Sequence, residues 1–259
     1  MSGSQPSKAS VHESMEELIH SGEKPFSDMV GRHPRKVMDE YLNAEERQEI
    51  LGSVHRLREF WYPLFGDKND NAFLLPAGLY TQRYHPERYT KFQIAARASM
   101  MEELGWVYTK LVRTIEEWYG KRVVFSPNLM YPGFHVFVGP VDNRILSVDK
   151  RLGEKYWTAH QTRFHVDAFP QSFPEIEEQH IESFIVPIQL PKHETQLWWL
   201  NPYVSLEEVN KLRYSEGMLG HWHGQYPHAI GDVVLEEDEA RITLQMHCCI
   251  KQDSVTLFW

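Results

Sequence analysis

The sequence predicts an α+β chain, helices first and strands after, and three observations carry that prediction. An amphipathic helical period runs from about residue 44 to 61 and again, more clearly, from 91 to 119. After Gly120 the texture changes to short runs of two-residue or continuous apolar character, separated by turn-forming stretches such as GPVDN and LPKHE. Hydrophobic residues make up 42% of the 259 and charged residues 24%, ordinary for a globular chain. A single domain over 1–259 is expected: 1–10 mobile, 11–120 mainly helical support, and 121–259 a sheet that folds over as a sandwich or barrel.

The elements follow in order. Asn43 can cap the first helix, with Glu46 three residues on completing a capping box, and Ile50, Leu51, Val54, Leu57 and Trp61 form its apolar stripe. Residues 63–90 read as loop with one strand at most. The long helix over 91–119 carries Met100, Leu104, Val107, Leu111, Ile115 and Trp118 at helical spacing, so it must lie against a flat apolar surface. Eight strand-like runs come next: RVVFS, FHVFVG, TRFHVDAF, ESFIVPIQL, TQLWWL, HAIGDVVL, ARITLQMHCCI and SVTLFW. One short helix is expected among them, capped by Ser205-x-x-Glu208.

Charge and cysteine usage exclude some classes. A net charge of −9 without a basic tract argues against nucleic acid or an anionic membrane as partner. No apolar run reaches the roughly 20 residues of a bilayer span, and the first residues lack the apolar core of a signal peptide. The two cysteines, Cys248 and Cys249, are adjacent and are read as reduced, which suits the cytoplasm.

In TRFHVDAFP, side chains that alternate along a strand put Arg163, His165 and Asp167 on one face. In ARITLQMHCCI, Arg241, Thr243, Gln245 and His247 share a polar face opposite Ile242, Leu244, Met246, Cys248 and Ile250. Two strands with reactive polar faces suit a small barrel with a site in its mouth. His165 and Asp167 can point at one cation, and a second histidine would complete a two-His, one-carboxylate face, which suits non-heme Fe(II) better than zinc. His180, His193, His221, His223, His228 and His247 are the candidates for that histidine. His228 opens a run that hairpins through EEDEA toward Arg241 and Thr243, whereas Gly220, Gly224 and Pro227 mark His221 and His223 as loop residues.

His165-x-Asp167, His228 and Arg241-x-Thr243, in that order, resemble the His-x-Asp…His…Arg-x-Ser/Thr pattern of the Fe(II)/2-oxoglutarate-dependent dioxygenases. The likeness spans about 128–249, with NLMYPGFHVF similar to the Tyr-x-Pro-Gly strand before the first ligand. It departs in the spacing of 13 from His228 to Arg241 and in KHETQ, where members often carry Gly-Gly. The resemblance implies a double-stranded β-helix, or jelly-roll, flanked by N-terminal helices. It further implies Fe(II) on His165, Asp167 and His228, with 2-oxoglutarate chelating the metal and O2 as the oxidant. The distal carboxylate of 2-oxoglutarate would meet Arg241 and Thr243, with Asn128 and Tyr131 as further donors. Asp167 favours hydroxylation over halogenation, since halogenases of this kind have Gly or Ala there; desaturation and cyclisation use the same oxidant.

The substrate is expected to be a small molecule, such as an amino acid or specialised metabolite, met by Arg163, Phe134 and Trp199, with Arg83 and Arg88 in a lid. A monomer or homodimer fits a chain of this size. Two rivals from other classes stand beside this reading. A ligand-binding cupin-like barrel would need no iron, and a zinc or manganese hydrolase or isomerase would need no oxygen and would leave Arg241-x-Thr243 without a role.

Overall fold

In a computed structural model of the chain, the described residues are 35–63, 71–76, 86–142, 181–193, 195–201, 205–224, 228–230 and 234–259. All of them fall within one compact unit, His33–Trp259. Strand β1 (Arg35–Met38) precedes helix α1 (Ala44–Arg56). The Asn43 side chain accepts from the Glu46 N–H and the Glu46 carboxylate from the Asn43 N–H, both at 2.9 Å, so the predicted capping box forms. Ile50 and Val54 are fully buried, and the Trp61 indole donates to the Val54 carbonyl past the helix end.

Strands β2 (Tyr62–Pro63) and β3 (Ala72–Leu75) lead to helix α2 (Pro86–Tyr119), which begins a few residues before the predicted 91. A proline at the first helical position suits that start, because its missing N–H is one the helix leaves unpaired anyway. Met100, Leu104, Val107, Leu111 and Ile115 are all buried on the stripe the period predicts, Trp118 at its end is half-buried, and Ala96 extends the buried stripe by a turn. Each of the larger ones contributes about 1.5–3 kcal/mol relative to exposure.

Past α2 lie β4 (Arg122–Val124), β5 (Gly133–Val138), β6 (Val141–Asp142), β7 (Ile181–Gln189), β8 (Gln196–Asn201), β9 (Ser205–Arg213) and β10 (Leu219–His223). They are followed by β11 (His228–Ile230), β12 (Val234–Leu235), β13 (Ala240–Ile250) and β14 (Ser254–Phe258). Nine of the described strands form one sheet in the order β1-β10-β7-β13-β5-β3-β2, with β14 pairing β13 and β4. A smaller sheet runs β11-β8-β9, and β12 pairs β6. All pairs are antiparallel except β14 with β4. The described residues therefore form a mixed α and β structure with antiparallel sheets, supported by α1 and α2.

One face of the larger sheet meets the helices. Phe134, Val136, Phe184, Val186, Ile242, Leu244 and Met246 share a buried cluster with the α2 stripe. The other face meets the smaller sheet, where Ile185 and Trp222 of the larger sheet cluster with Leu197 and Tyr214.

Three expectations are corrected. Ser205–Arg213 is a strand rather than a short helix: its pairing with β8, Leu197 opposite Leu212 and Trp198 opposite Lys211, overrides the Ser-x-x-Glu capping pattern. The expected loop around His221 and His223 is strand β10. Gly220 sits within it because a Cβ there would approach Ile185 at 3.1 Å, so this glycine marks close packing rather than a turn. Arg88, expected in a lid loop, lies in the first turns of α2. Among the described residues no helix is long and apolar enough to cross a membrane. Cys248 and Cys249 are both buried and unbridged, as their adjacency predicts.

Candidate functional site

Register decides which side chains enter the space between the sheets. Along β13, Thr243 stands opposite His135 and Pro187, Gln245 opposite Gly133 and Ile185, and His247 opposite Ser183. Ser183 in turn stands opposite Trp222. Directly paired residues project to the same face, so Arg241, Thr243, Gln245 and His247 share the Ile185 and Trp222 side, turned toward the smaller sheet. At about 3.4 Å per residue this row runs on the order of 20 Å from Arg241 to His247.

Arg241 lies at one end of the row and is 0% exposed. Its guanidinium carbon is 5.6 Å from the Phe137 ring on β5 and 5.6 Å from the Tyr214 ring, which follows β9. None of its Nε, Nη1 and Nη2 has a hydrogen-bond partner among the described residues, and the same holds for Thr243 Oγ1 and the Tyr214 hydroxyl. Burial pulls the guanidinium below its ordinary value, and the Tyr214 phenol beside it acts in the opposite sense. Burial pushes the Tyr214 phenol up to about 12, with Arg241 pulling it down. At neutral pH a cation and two neutral hydroxyls, all able to donate, thus lie on this side of the sheet.

His228 opens β11 and is 5% exposed. It stands opposite Trp199 across the pair with β8, and its ring meets the Trp222 ring edge-on, with centroids 5.2 Å apart. Two residues on, Ile230 packs against the cluster that contains Phe137, the ring beside Arg241. His228 and Arg241 thus line the same inter-sheet space from opposite sheets. At the other end of the β13 row, Ser183 Oγ and His247 Nδ1 are 2.9 Å apart, and the His247 ring stacks on Trp259. Trp259 also meets His135 edge-on and donates its indole N–H to the Pro76 carbonyl.

The remaining sequence candidates divide. His165, Asp167, Arg163 and Arg83 lie outside the described residues, so of the expected metal set only His228 is placed. Among the described residues no three metal-ligating side chains converge. Trp199 is buried opposite His228, with its indole N–H unpartnered among the described residues. Phe134 does not share the face of Arg241: it stands opposite Leu244 and belongs to the helix-side core, because it is one residue out of phase with His135 and Phe137. Tyr131 is drawn into the helix-side layer as well. Its ring lies 5.3 Å from Tyr108 of α2 and 5.0 Å from Phe125, with Arg97 stacked over it. Asn128 is exposed in the turn before β5. Sequence reasoning missed Phe137 and Tyr214. The alternation Gly133-x-His135-x-Phe137 could have found the first, whereas Tyr214 follows a strand that the capping pattern disguised.

His221, weighed as a ligand, points to the helix side, where its Nε2 is 2.7 Å from the buried Glu182 carboxylate and its ring stacks on Phe184.

No family model and no curated protein matches the chain. Solved structures with a similar layout include a Pseudomonas putida prolyl-4-hydroxylase (13% identity, 85% of this chain and 93% of that one, TM-score 0.35). They also include SnoN, a non-heme alpha-ketoglutarate-dependent epimerase of nogalamycin biosynthesis (13% identity, 82% and 77%, TM-score 0.43). A third is an N-substituted L-amino acid dioxygenase from Burkholderia ambifaria in complex with alpha-KG (11% identity, 81% and 91%, TM-score 0.42).

Proposed function

We propose that this chain is an Fe(II)- and 2-oxoglutarate-dependent oxygenase that hydroxylates an unactivated C–H bond of a small molecule, with a double-stranded β-helix as its core. The observation that carries the reading is the Arg241 guanidinium, fully buried between two sheets without an acceptor among the described residues, with the Thr243 hydroxyl two residues along the same face. A buried charge is tolerated where a partner satisfies it. A carboxylate, which accepts about four hydrogen bonds and pairs with guanidinium in a fork, is the anion whose geometry matches.

The residues present fit the co-substrate at its distal end. Arg241 would orient it, Thr243 would donate a further hydrogen bond, and Phe137 and Tyr214 would keep the pair dry and so strengthen it. His228 fits a metal ligand by its burial and by its place on the facing sheet, and His165 and Asp167 would complete the set. When bound, the iron would couple the breakdown of 2-oxoglutarate by O2, giving succinate and CO2, to insertion of oxygen into the substrate. Trp199 and Trp222 would shield His228 from water, and Trp199 would present an indole N–H toward substrate. The winding supports the β-helix reading: β7, β10 and β13 lie in the larger sheet while β8, β9 and β11 lie in the smaller, so the chain passes back and forth between the two. A cytoplasmic monomer or homodimer acting without nucleic acid or membrane belongs to the same proposal.

The test is an anaerobic titration of the metal-free protein with Fe(II), then 2-oxoglutarate, following the weak visible charge-transfer band of the chelate in wild type and in Arg241→Ala. A saturable band that needs far more 2-oxoglutarate in the variant is expected. A protein that binds iron and gives no band overturns the proposal and favours the binder or hydrolase readings.

A further inference from the structure

The Arg241 pocket is built from two sheets, and its second wall is not part of the Arg-x-Thr motif. Tyr214 follows β9 on the smaller sheet, is 5% exposed, and is held by its N–H donating to the Thr195 carbonyl at 3.2 Å. Its ring packs with Ile185, Leu197, Met218 and Trp222, so the phenol cannot swing out to water without emptying that cluster. Its hydroxyl is buried and unpartnered among the described residues, and so is that of Thr195. A tyrosine placed only for packing could have been phenylalanine here, because an unmade hydrogen bond on a buried hydroxyl costs stability. The ring instead stands 5.6 Å from the guanidinium carbon of Arg241, close enough for each group to feel the other, while neither makes a hydrogen bond of normal geometry to another group among the described residues.

We infer that Tyr214 is a co-substrate-binding residue that donates its hydroxyl to the same carboxylate as Arg241, so that a dicarboxylate clamps the two sheets together without any metal. This rests on the reading of the Arg241 pocket as the seat of a carboxylate. The clamp has a consequence that motif residues on one strand would not have. The ligand joins β13 of the larger sheet to the end of β9 in the smaller, and its binding therefore stabilises the fold as a whole.

The probe is glutarate, which has the carbon chain and distal carboxylate of 2-oxoglutarate but lacks the keto oxygen. Thermal unfolding and calorimetric titration are run on the full chain in a chelator, in wild type and in Tyr214→Phe, which keeps the ring. Glutarate should raise the wild-type Tm, and Tyr214→Phe should bind it about ten- to a hundredfold more weakly, the worth of one hydrogen bond to a charged group. A near-ultraviolet tyrosine difference spectrum of wild type with glutarate should accompany binding, which keeps the test open if the variant fails to fold. Unchanged affinity in Tyr214→Phe, or binding without any tyrosine perturbation, overturns the clamp. Its failure is separable from that of the oxygenase reading: a normal iron–2-oxoglutarate band with unchanged Tyr214→Phe removes the clamp alone. Glutarate binding that depends on Tyr214, with no such band, leaves the clamp standing and removes the oxygenase.

Discussion

Replacing Arg241 by methionine separates the cost of this residue from its use. The guanidinium is fully buried, lies beside the Phe137 and Tyr214 rings, and has no hydrogen-bond acceptor among the described residues by distance and angle. Removing a charge from water costs several kcal/mol, and replacing buried ionic groups with well-packed apolar ones of similar volume stabilises proteins by about 1–4 kcal/mol. Methionine is shorter than arginine but close to it in volume, and it adapts to irregular space. Arg241→Met should therefore be about 1–4 kcal/mol more stable than wild type when both are free of metal and dicarboxylate. At roughly 3 °C per kcal/mol for a chain of this size, Tm would rise by about 3–12 °C. Saturating 2-oxoglutarate should reverse the order by raising wild type and leaving the variant unmoved. The assay is urea denaturation backed by thermal scans, each with and without 2-oxoglutarate. A variant less stable than wild type in the ligand-free state would refute the reasoning, since it would mean the folded protein already satisfies the guanidinium.

Four further outcomes are expected. His228→Ala should lower Fe(II) affinity on the order of a hundredfold or more and abolish the chelate band, while metal-free glutarate binding, measured calorimetrically, stays within about twofold. Gly217 has φ +77°, and an added Cβ there would collide with the Leu42 carbonyl oxygen; Gly217→Ala should cost about 2–4 kcal/mol in urea unfolding. For Glu46, partial burial acts to raise the carboxyl, but hydrogen bonds from Lys110 and the Asn43 N–H outweigh it and hold it below the ordinary value. Its contribution, a few tenths to about 1 kcal/mol, is then present above the unfolded carboxylate pKa and lost as pH falls through the folded one, so Glu46→Gln should flatten the acid limb of a urea-midpoint profile. Finally, glutarate affinity should change less than about threefold between 0.05 and 0.5 M salt, because Arg241 is shielded from the ions that screen surface charge; a tenfold loss would put the anion at the surface.

The fold was legible where one period ruled one element. The α2 stripe and the two faces of β13 could be read directly, because one side of each is uniformly apolar and meets a single buried layer. Sequence reasoning failed where a local signal competed with pairing. Ser205-x-x-Glu208 is a capping pattern in isolation, yet β8 offers a complete ladder, and the strand wins. Gly220 and Gly224 punctuate like a turn, yet Gly224 is buried with a Cβ position 2.9 Å from Ile181, so close approach of neighbouring chain explains it better. Of the site, Arg241 and Thr243 were readable as one face of a strand, and His228 as the start of another. Phe134 was expected near Arg241, but its phase relative to Gly133 turns it to the opposite face of the sheet; Tyr131 precedes β5, where no strand alternation guides the reading, and its ring lies against Tyr108 and Phe125.

The division of β13 into two faces also explains how the chain carries so poorly satisfied a residue. Ile242, Leu244, Met246 and Cys248, interleaved with the polar row, are all buried against the helix-side core. At about 1.5–3 kcal/mol for each fully buried large apolar side chain, that face offsets a desolvation cost of several kcal/mol at Arg241 without help from any ligand. The strand also pairs along its length with β7 on one side and with β5 and then β14 on the other, so its backbone cannot shift to relieve the guanidinium. On the proposed reading, a partner for Arg241 comes to it. On that reading, rigidity on the apolar face is what would make the opposite face a binding site: the arginine would be held where an incoming carboxylate finds it already desolvated and aimed, with little left to order on binding.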